Sequence, residues 1–207
     1  MASTDSTILC FRQTHFFAEF QRVACGWWGA VHRLPASANM CLMDTTDETY
    51  MQIALTEARV AASVGEVPIG AVVVCDGRVV ARAHNRRERD HDPSAHAELA
   101  AMVKASQELE RWRLTGCTVY VTLEPCLMCA GLMVNARIDR CVYGAPDPKG
   151  GALGTLYDVS HDARLNHEFE VRAGVCADEC AEVLRSFFRA RRASRRLEKA
   201  SSEEGRA

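Results

Sequence analysis

The chain has 207 residues, 48% of them hydrophobic, a length and composition that suit one domain with tails. Its formal net charge of −2 excludes an overall basic field of the kind that draws proteins to nucleic acid. No apolar run reaches the ~18–20 residues of a membrane-spanning helix, and the first residues lack the basic and apolar segments of a secretory signal.

Cysteine usage indicates a reducing compartment. The 10 cysteines do not form a small secreted disulfide framework, because the chain is not small and two of them lie in a C-x-x-C motif. Thiols stay reduced in the cytosol. We therefore expect a cytoplasmic protein.

Residues 1–43 are predicted to be an N-terminal extension that is poorly ordered or wrongly assigned to the protein, with Met40 or Met43 as an alternative start. The segment shows no sustained hydrophobic period and no capping pattern, although it is too aromatic for an ordinary linker. Its large aromatic residues include Phe16, Phe17, Trp27 and Trp28. The predicted domain covers 44–197, and 198–207 form a polar tail.

The first elements of the domain are a helix and a hairpin. Thr46 or Asp47 is predicted to cap a helix that runs to about Ser63, since apolar residues follow at helical spacing. A buried strand over 69–75 and a return strand over 78–83 flank an Asp-Gly pair, which favours a two-residue turn.

After a polar loop over 85–93, the rest of the domain alternates helices and strands. Ser94 is predicted to cap the next helix, and Pro125 to occupy the first position of the one after it. A long loop over 144–166 is expected to hold a short helical turn near Thr155. The predicted elements are a helix from about His96 to Gln107, strands over 118–123, 139–143 and 168–171, a helix from Pro125 to about Asn135, and a C-terminal helix from Ala177 or Asp178.

This order of elements predicts an α/β fold, a three-layer α/β/α domain around a mixed five-stranded sheet. The C-terminal helix is expected to dissolve into a basic run over 185–199. Such a run is either a solvated helix face or an interaction site.

Two motifs predict a metal site. Cys126 and Cys129 are three positions apart and share one face of a helix, so both sulfurs can reach one ion. The helix N-terminus favours negative charge and lowers the pKa of a thiol there. His96 supplies a third ligand, and catalytic Zn²⁺ sites have three protein ligands and an open position for water.

Glu98 lies two residues beyond His96, near the predicted ion but free to carry protons. A C-x-x-C pair alone also occurs as a redox pair, as half of a structural zinc site or as unrelated thiols, and an isolated H-x-E pair carries almost no information. The combination H-x-E…P-C-x-x-C is the signature of zinc deaminases that act on nucleobases. Both motifs begin helices, at the sheet edge where α/β proteins bind ligands.

Longer stretches carry a family resemblance. PSAHAE at 93–98, YVTLEPCLMCAG at 120–131 and RIDRCVYGA at 137–145 resemble the cytidine deaminase-like superfamily. Within it, the chain is most similar to the bacterial tRNA-specific adenosine deaminases, through EVPIGA at 66–71, DPKGGA at 147–152, LNH at 165–167 and FFRARR at 187–192. The resemblance covers about 45–197 and leaves 1–43 outside.

The resemblance implies hydrolytic deamination of adenosine to inosine at the wobble position of a tRNA anticodon, by a homodimer that uses a zinc-activated water. It implies that one Zn²⁺ per chain is held by His96, Cys126 and Cys129, with Glu98 as the proton shuttle. It also implies substrate contacts. Asn85 and Asp147 would contact the extruded nucleotide or its neighbour, Val67, Pro68 and Ile69 would form the wall of the base pocket, and Asn166 would face the RNA.

Two other functions fit the motifs. A deaminase of a free base or nucleoside, such as guanine, cytosine or cytidine, needs the same zinc site. A non-catalytic, zinc-stabilised RNA-binding module is the alternative from another class. Glu98 argues against that module, because a structural site needs no proton carrier and normally has a fourth ligand.

Overall fold

The structure, a computed structural model, describes the backbone of residues 36–204 and the side chains of 46–199 and Ser201. Most of the predicted N-terminal extension and the last three residues of the predicted tail lie outside the described residues. The elements are α1 (Ala36–Ser63), β1 (Gly70–Cys75), β2 (Arg78–His84), α2 (Arg87–Asp90), α3 (Ala97–Glu108), β3 (Cys117–Leu123), α4 (Leu127–Ala136), β4 (Arg140–Ala145), β5 (Glu170–Arg172) and α5 (Ala177–Glu204).

The five strands form one mixed sheet in the order β2-β1-β3-β4-β5. β1 is antiparallel to both of its neighbours, and β3, β4 and β5 are mutually parallel. Asp76 and Gly77 join β1 to β2 with φ angles of 50° and 72°, the left-handed backbone that a tight hairpin requires. These findings confirm the predicted fold class.

Helices cover both faces of the sheet because successive side chains of a strand point to opposite sides. Val73 and Cys75 of β1 face a core that includes residues of α3 and α4. Val72 and Val74 face a second core that contains residues of α1 and α5. All six residues of β1 are buried, as expected for a strand covered on both faces.

Asp47 joins α1 to three strands and does not cap the helix. The predicted cap is wrong, because α1 begins at Ala36 and nothing between Pro35 and Thr46 stops a helix. The Asp47 carboxylate accepts hydrogen bonds from Tyr120 at 2.8 Å and from the two Arg140 Nη atoms at 2.8 and 3.0 Å. It also accepts one from Arg172 at 2.8 Å, so one buried acid is shared by β3, β4 and β5.

Three other local predictions are wrong. Ser94 does not cap α3, because its hydroxyl and N–H both donate to Asp92, and His96 occupies the cap position. Pro125 lies outside α4, before the Cys126 cap. The described residues around Thr155 form turns and isolated bridges without a helix, because their backbone groups bond to Glu124 and to one another.

Two helices differ from expectation. The polar loop contains the single-turn α2, which was not predicted because four residues are too few to show a helical hydrophobic period. α5 continues through the basic run to Glu204, because arginine and lysine are good helix formers and no glycine or proline interrupts them. Within residues 36–204, no helix is long and apolar enough to cross a membrane.

Candidate metal centre

His96 and Cys126 occupy equivalent places in the fold. Each is the last extended residue before a helix, with φ/ψ of −77°/150° before α3 and −76°/172° before α4. Both helices pack on the same face of the sheet, where their residues share one core. Cys129 follows in the first turn of α4. The fold therefore brings together two helix starts that are 30 residues apart in the chain.

The three side chains form a set of ligands with metal-like spacing. His96 Nδ1 lies 3.7 Å from the Sγ atom of Cys126 and 3.7 Å from that of Cys129. All three atoms lie within 4.8 Å of one another. A tetrahedral Zn²⁺ with its usual bond lengths separates nitrogen and sulfur ligands by about 3.6 Å, so these residues fit such an ion.

The electrostatics of the cluster favour a bound cation. A hydrogen bond from the Cys129 thiol lowers the pKa of Cys126 to about 3, and His96 adds to the effect. The same hydrogen bond, together with burial, raises the pKa of Cys129. The hydrogen bond with Cys126 raises the pKa of His96. The lowered pKa of Cys126 favours its thiolate, the form of cysteine that binds a metal ion.

Glu98 lies in the first turn of α3 beside this cluster. Its side chain is 4% exposed, and burial raises the pKa of its carboxyl above the ordinary value. Hydrogen bonding with Cys129 and the charge of His96 act in the opposite direction. A carboxyl group with a raised pKa can take and release protons near neutral pH.

Asn85 lies next to the His96 turn. It follows β2, is 4% exposed, and its N–H donates to the carbonyl of Ile69 at 3.0 Å. The N–H of Arg86 donates to the carbonyl of Ala95, which immediately precedes His96. Pairing of backbone segments therefore holds Asn85 between the approach to β1 and the start of α3.

The segment before β1 contributes apolar surface and an unexpected acid. Val67 and Ile69 are half-buried, Pro68 is buried, and Ile69 packs on the core that includes α3. Glu66 is 1% exposed, and its carboxylate accepts 3.0 and 2.6 Å hydrogen bonds from the Asn85 amide and the Arg89 N–H. Sequence reasoning missed Glu66, since one acidic residue between a turn and a strand has no distinctive pattern.

Asp147 begins a loop that lies against Pro125 and Cys126, the turn that carries a candidate metal ligand. Cys126 forms an isolated bridge with Gly151, and the Ala152 N–H donates to the carbonyl of Pro125 at 2.9 Å. The N–H of Asp147 donates to Glu124, a buried residue that sequence reasoning also missed. Burial by itself raises the pKa of Glu124, but hydrogen bonds from Thr155, Asp147 and Leu153 outweigh it and hold that pKa below its usual range.

Asn166 occupies a different part of the surface. It is exposed and lines a groove of about 380 Å³ with Asn135 and Gly131, along the length of α4. Asn135 is nine residues beyond Cys126, which corresponds to about 13 Å along a helix. The structure therefore places Asn85 near the start of α3 and the Asp147 loop against Cys126, whereas Asn166 lies toward the far end of α4.

Comparisons with known proteins find deaminases that are similar to this chain. A family model of MafB19-like deaminases matches residues 45–192. The tRNA-specific adenosine deaminase of Bacillus subtilis (strain 168) is 51% identical over 145 residues, which are 70% of this chain and 90% of that protein. The tRNA-specific adenosine deaminase of Agrobacterium fabrum (strain C58 / ATCC 33970) is 48% identical over 143 residues, or 69% of this chain and 94% of that protein.

A solved structure gives the same result in three dimensions. It comes from studies of A-to-I editing by tRNA:A34 deaminases at the wobble position of transfer RNA. Its sequence is 47% identical, its TM-score is 0.64, and the match covers 66% of this chain and 99% of that one.

Proposed function

Because this chain belongs to the family of tRNA-specific adenosine deaminases, we propose that it hydrolyses adenosine to inosine at the wobble position of a tRNA anticodon. The observation that carries the proposal is the cluster of His96, Cys126 and Cys129 with the buried Glu98 beside it. We propose that these three residues hold one Zn²⁺ per chain. When bound, the ion would supply a water whose pKa is lowered from 15.7 to about 7.

Glu98 would manage the protons of the reaction. It accepts the proton that the attacking water loses as an oxygen bond forms at C6 of adenine. It delivers this proton to the ring nitrogen N1 and then moves the remaining proton of the new C6 hydroxyl to the amino group, so that the C6–N bond breaks, ammonia leaves and the C6 carbonyl of inosine forms. One carboxyl group acts first as base and then as acid, and the raised pKa of Glu98 suits both tasks.

Residues around the ligands would bind the base. Val67, Pro68 and Ile69 provide an apolar wall, and the Asn85 amide retains its carbonyl oxygen and one N–H after donating to Glu66. A base in an anticodon loop is unpaired, so its extrusion costs less than that of a duplex base. Asp147 and, farther away, Asn166 would contact the neighbouring RNA.

A basic stripe along α5 offers a surface for phosphates. Its residues follow one another at spacings of three and four and so share one helix face. They are Arg185, Arg189, Arg192, Arg196 and Lys199. Arg185 and Arg189 both pair with Glu182, whereas Arg192 and Arg196 are exposed and form no ion pair within the described part of the chain. We propose that this stripe binds the tRNA backbone.

We propose that the protein acts as a homodimer in a reducing compartment such as the cytoplasm. An apolar patch beside the metal ligands supports self-association, and its members are exposed by 40–58%: Leu127, Met128, Leu156 and Tyr157. All seven cysteines in the described residues are free thiols, which agrees with a reducing setting. Sedimentation equilibrium of the purified protein tests the dimer, and a monomer at micromolar concentration would contradict it.

The test of the function is incubation with a set of tRNAs carrying adenosine at the wobble position, followed by sequencing, where inosine reads as guanosine. Ammonia release from free adenosine, cytidine, cytosine and guanine is measured in parallel. The proposal expects conversion of tRNA and no release from the small molecules. Release from a free base alone indicates the small-molecule deaminase, and tRNA binding without conversion indicates the non-catalytic module.

A further inference from the structure

Glu124 lies between β3 and the Pro125-Cys126 turn, and it has no part in the proposed chemistry. Its side chain is nevertheless only 2% exposed. A buried carboxylate is unfavourable unless hydrogen bonds replace the lost water. The partners of this carboxylate therefore indicate what it does.

Every donor to this carboxylate within the described part of the chain belongs to one loop, over 147–155. Oε1 accepts from the N–H groups of Leu153 at 3.1 Å and Thr155 at 3.0 Å. Oε2 accepts from the N–H of Asp147 at 3.0 Å and from the hydroxyl of Thr155. Four donors saturate the two oxygens, so a single side chain ties both ends of the loop to the residue before the metal-ligand turn.

The loop is shaped to receive this carboxylate. A Cβ atom at Gly151 would lie 2.3 Å from Glu124 Oε2, so only glycine permits the approach. Gly151 also bridges Cys126. A Cβ atom at Gly150 would lie 3.2 Å from the Asp147 carboxylate and 3.9 Å from Cβ of Cys126. The Asp147 side chain and the ligand turn are thus held next to each other.

We propose that Glu124 is a positioning residue that fixes Asp147 for contact with the RNA strand beside the target nucleotide. This inference rests on the proposed function, since it assigns Asp147 to substrate contact. It adds that the placement of Asp147 depends on the Glu124 carboxylate and not on the ligand turn alone. Glutamine cannot replace it, because its amide N–H₂ would face backbone N–H donors and only one oxygen would remain to accept.

The experiment is a double-mutant cycle of Glu124→Gln and Asp147→Asn, with KM and kcat measured on an anticodon stem-loop and zinc measured in each variant. Each single change should raise KM by ~10-fold, as expected for the loss of one buried charged hydrogen-bond partner, and leave kcat within ~3-fold. In the Asp147→Asn background, Glu124→Gln should add less than ~3-fold, because the contact it positions is already gone. Zinc content should stay at one ion per chain.

A graded pair of variants covers the case in which Glu124→Gln does not fold. Thr155→Val removes one of the four donors and should raise KM in the same direction by a smaller factor, whereas Thr155→Ser retains the hydroxyl and should match wild type. The positioning role would be overturned if the effects of Glu124→Gln and Asp147→Asn on KM multiplied fully in the double variant. It would also be overturned by a change in kcat without a change in KM, or by an Asp147→Asn variant with wild-type KM.

Hydrogen exchange separates this inference from the proposed function. The amides of Asp147, Leu153 and Thr155 should be protected in the wild-type protein and exchange ~10-fold faster in Glu124→Gln. If wild type forms no inosine on any tRNA, the proposed function and the RNA role of Asp147 both fail. The exchange data then still decide whether Glu124 holds the loop, and unchanged protection in Glu124→Gln rejects that as well.

Discussion

Three buried glutamates show how surroundings decide the task of a carboxyl group. Glu124 receives four hydrogen bonds, which stabilise its charge and lower its pKa, so it serves as a fixed acceptor. Glu66 orients the Asn85 amide. Glu98 is equally buried, but here burial raises the pKa of the carboxyl more than its hydrogen bonds and the charge of His96 lower it. Of the three, only Glu98 lies in the helix turn that starts at the candidate metal ligand His96.

Glu98→Gln should separate proton transfer from every other property of the site. Glutamine keeps the size of the side chain and leaves the three ligands unchanged, so zinc and tRNA binding should persist. Inosine formation should fall by ~10²–10⁴-fold, because the amide cannot carry a proton at neutral pH. Single-turnover sequencing of the tRNA measures the rate. A variant that retains more than about a tenth of the wild-type rate would show that Glu98 is not the proton shuttle.

Cys129→Ala should remove the metal. Two remaining ligands bind Zn²⁺ too weakly to retain it through purification, so both zinc content and inosine formation should be lost. Cys141→Ala provides the control, since Cys141 is a buried core thiol of β4 outside the cluster and its loss should leave zinc at one per chain. Elemental analysis decides the matter, and full zinc in Cys129→Ala would exclude this ligand set.

At the level of secondary-structure elements, the charged residues of the two long helices differ in where they lie: those of α1 include a buried acid, and those of α5 form an exposed basic stripe. α1 directs Asp47 into the molecule, where it joins three strands. α5 presents its apolar residues, among them the buried Cys180, to the sheet and its basic stripe outward. The same helical period therefore yields a buried acid on one helix and an exposed row of cations on the other.

Replacing Asp47 with asparagine should destabilise the fold. Asp47 is 3% exposed and forms a bidentate pair with Arg140, so the change removes the buried counter-charge of this guanidinium and leaves it only the exposed carboxylate of Glu170. We expect the free energy of unfolding to fall by about 2–4 kcal/mol. Asp162→Asn is the control, because Asp162 pairs with Arg164 at the surface and should matter little. Urea denaturation compares the two variants, and equal midpoints would contradict this role of Asp47.

The basic stripe should determine how tRNA affinity depends on salt. Arg192→Gln with Arg196→Gln removes two potential phosphate contacts, so affinity should fall and the slope of log K against log salt should flatten by about 1.4. Arg78→Gln with Arg82→Gln makes the same charge change on β2, at the other edge of the sheet from β5, and should leave the slope unchanged. Equal slopes for the two double variants would show that these arginines of α5 do not contact tRNA phosphates.

At the scale of the whole molecule, buried thiols on both faces of the sheet link stability to alkaline pH. Burial raises the pKa of Cys117, in the core under α3 and α4, to about 12. Burial likewise raises the pKa of Cys180, which lies on the buried face of α5 in the core shared with α1, to about 12. A thiol in the unfolded chain ionises near pH ~8.5. Between these values the folded state holds more protons, so its stability falls as pH rises.

Urea denaturation at pH 8 and pH 10 should therefore show a lower unfolding free energy at the higher pH. The Cys180→Ala variant should lose less stability over this interval than wild type, because one of the linked protons is gone. A stability that rises between pH 8 and pH 10, or an identical decrease in the variant, would contradict the linkage.

Features that depend on neighbours in the chain could be predicted from the amino-acid sequence. The Asp-Gly turn, the valine-rich strand β1 and the order of helices and strands are local patterns, and the mixed sheet and α/β/α layers were confirmed. The three-residue spacing of Cys126 and Cys129 also predicted that their sulfurs lie close together, which the start of α4 achieves with Cys126 at the cap and Cys129 in the first turn.

Contacts between residues far apart in the chain could not be predicted, because they form only when the chain folds. Asp47 finds its partners 73, 93 and 125 residues away, and Glu124 finds Asp147 and Thr155 at 23 and 31 residues. Both acids look ordinary in the sequence, because a buried carboxylate is stabilised by donors that folding brings to it and not by its neighbours in the chain. The position of Asn166 could not be predicted either, because it depends on how the loop that carries it packs along α4.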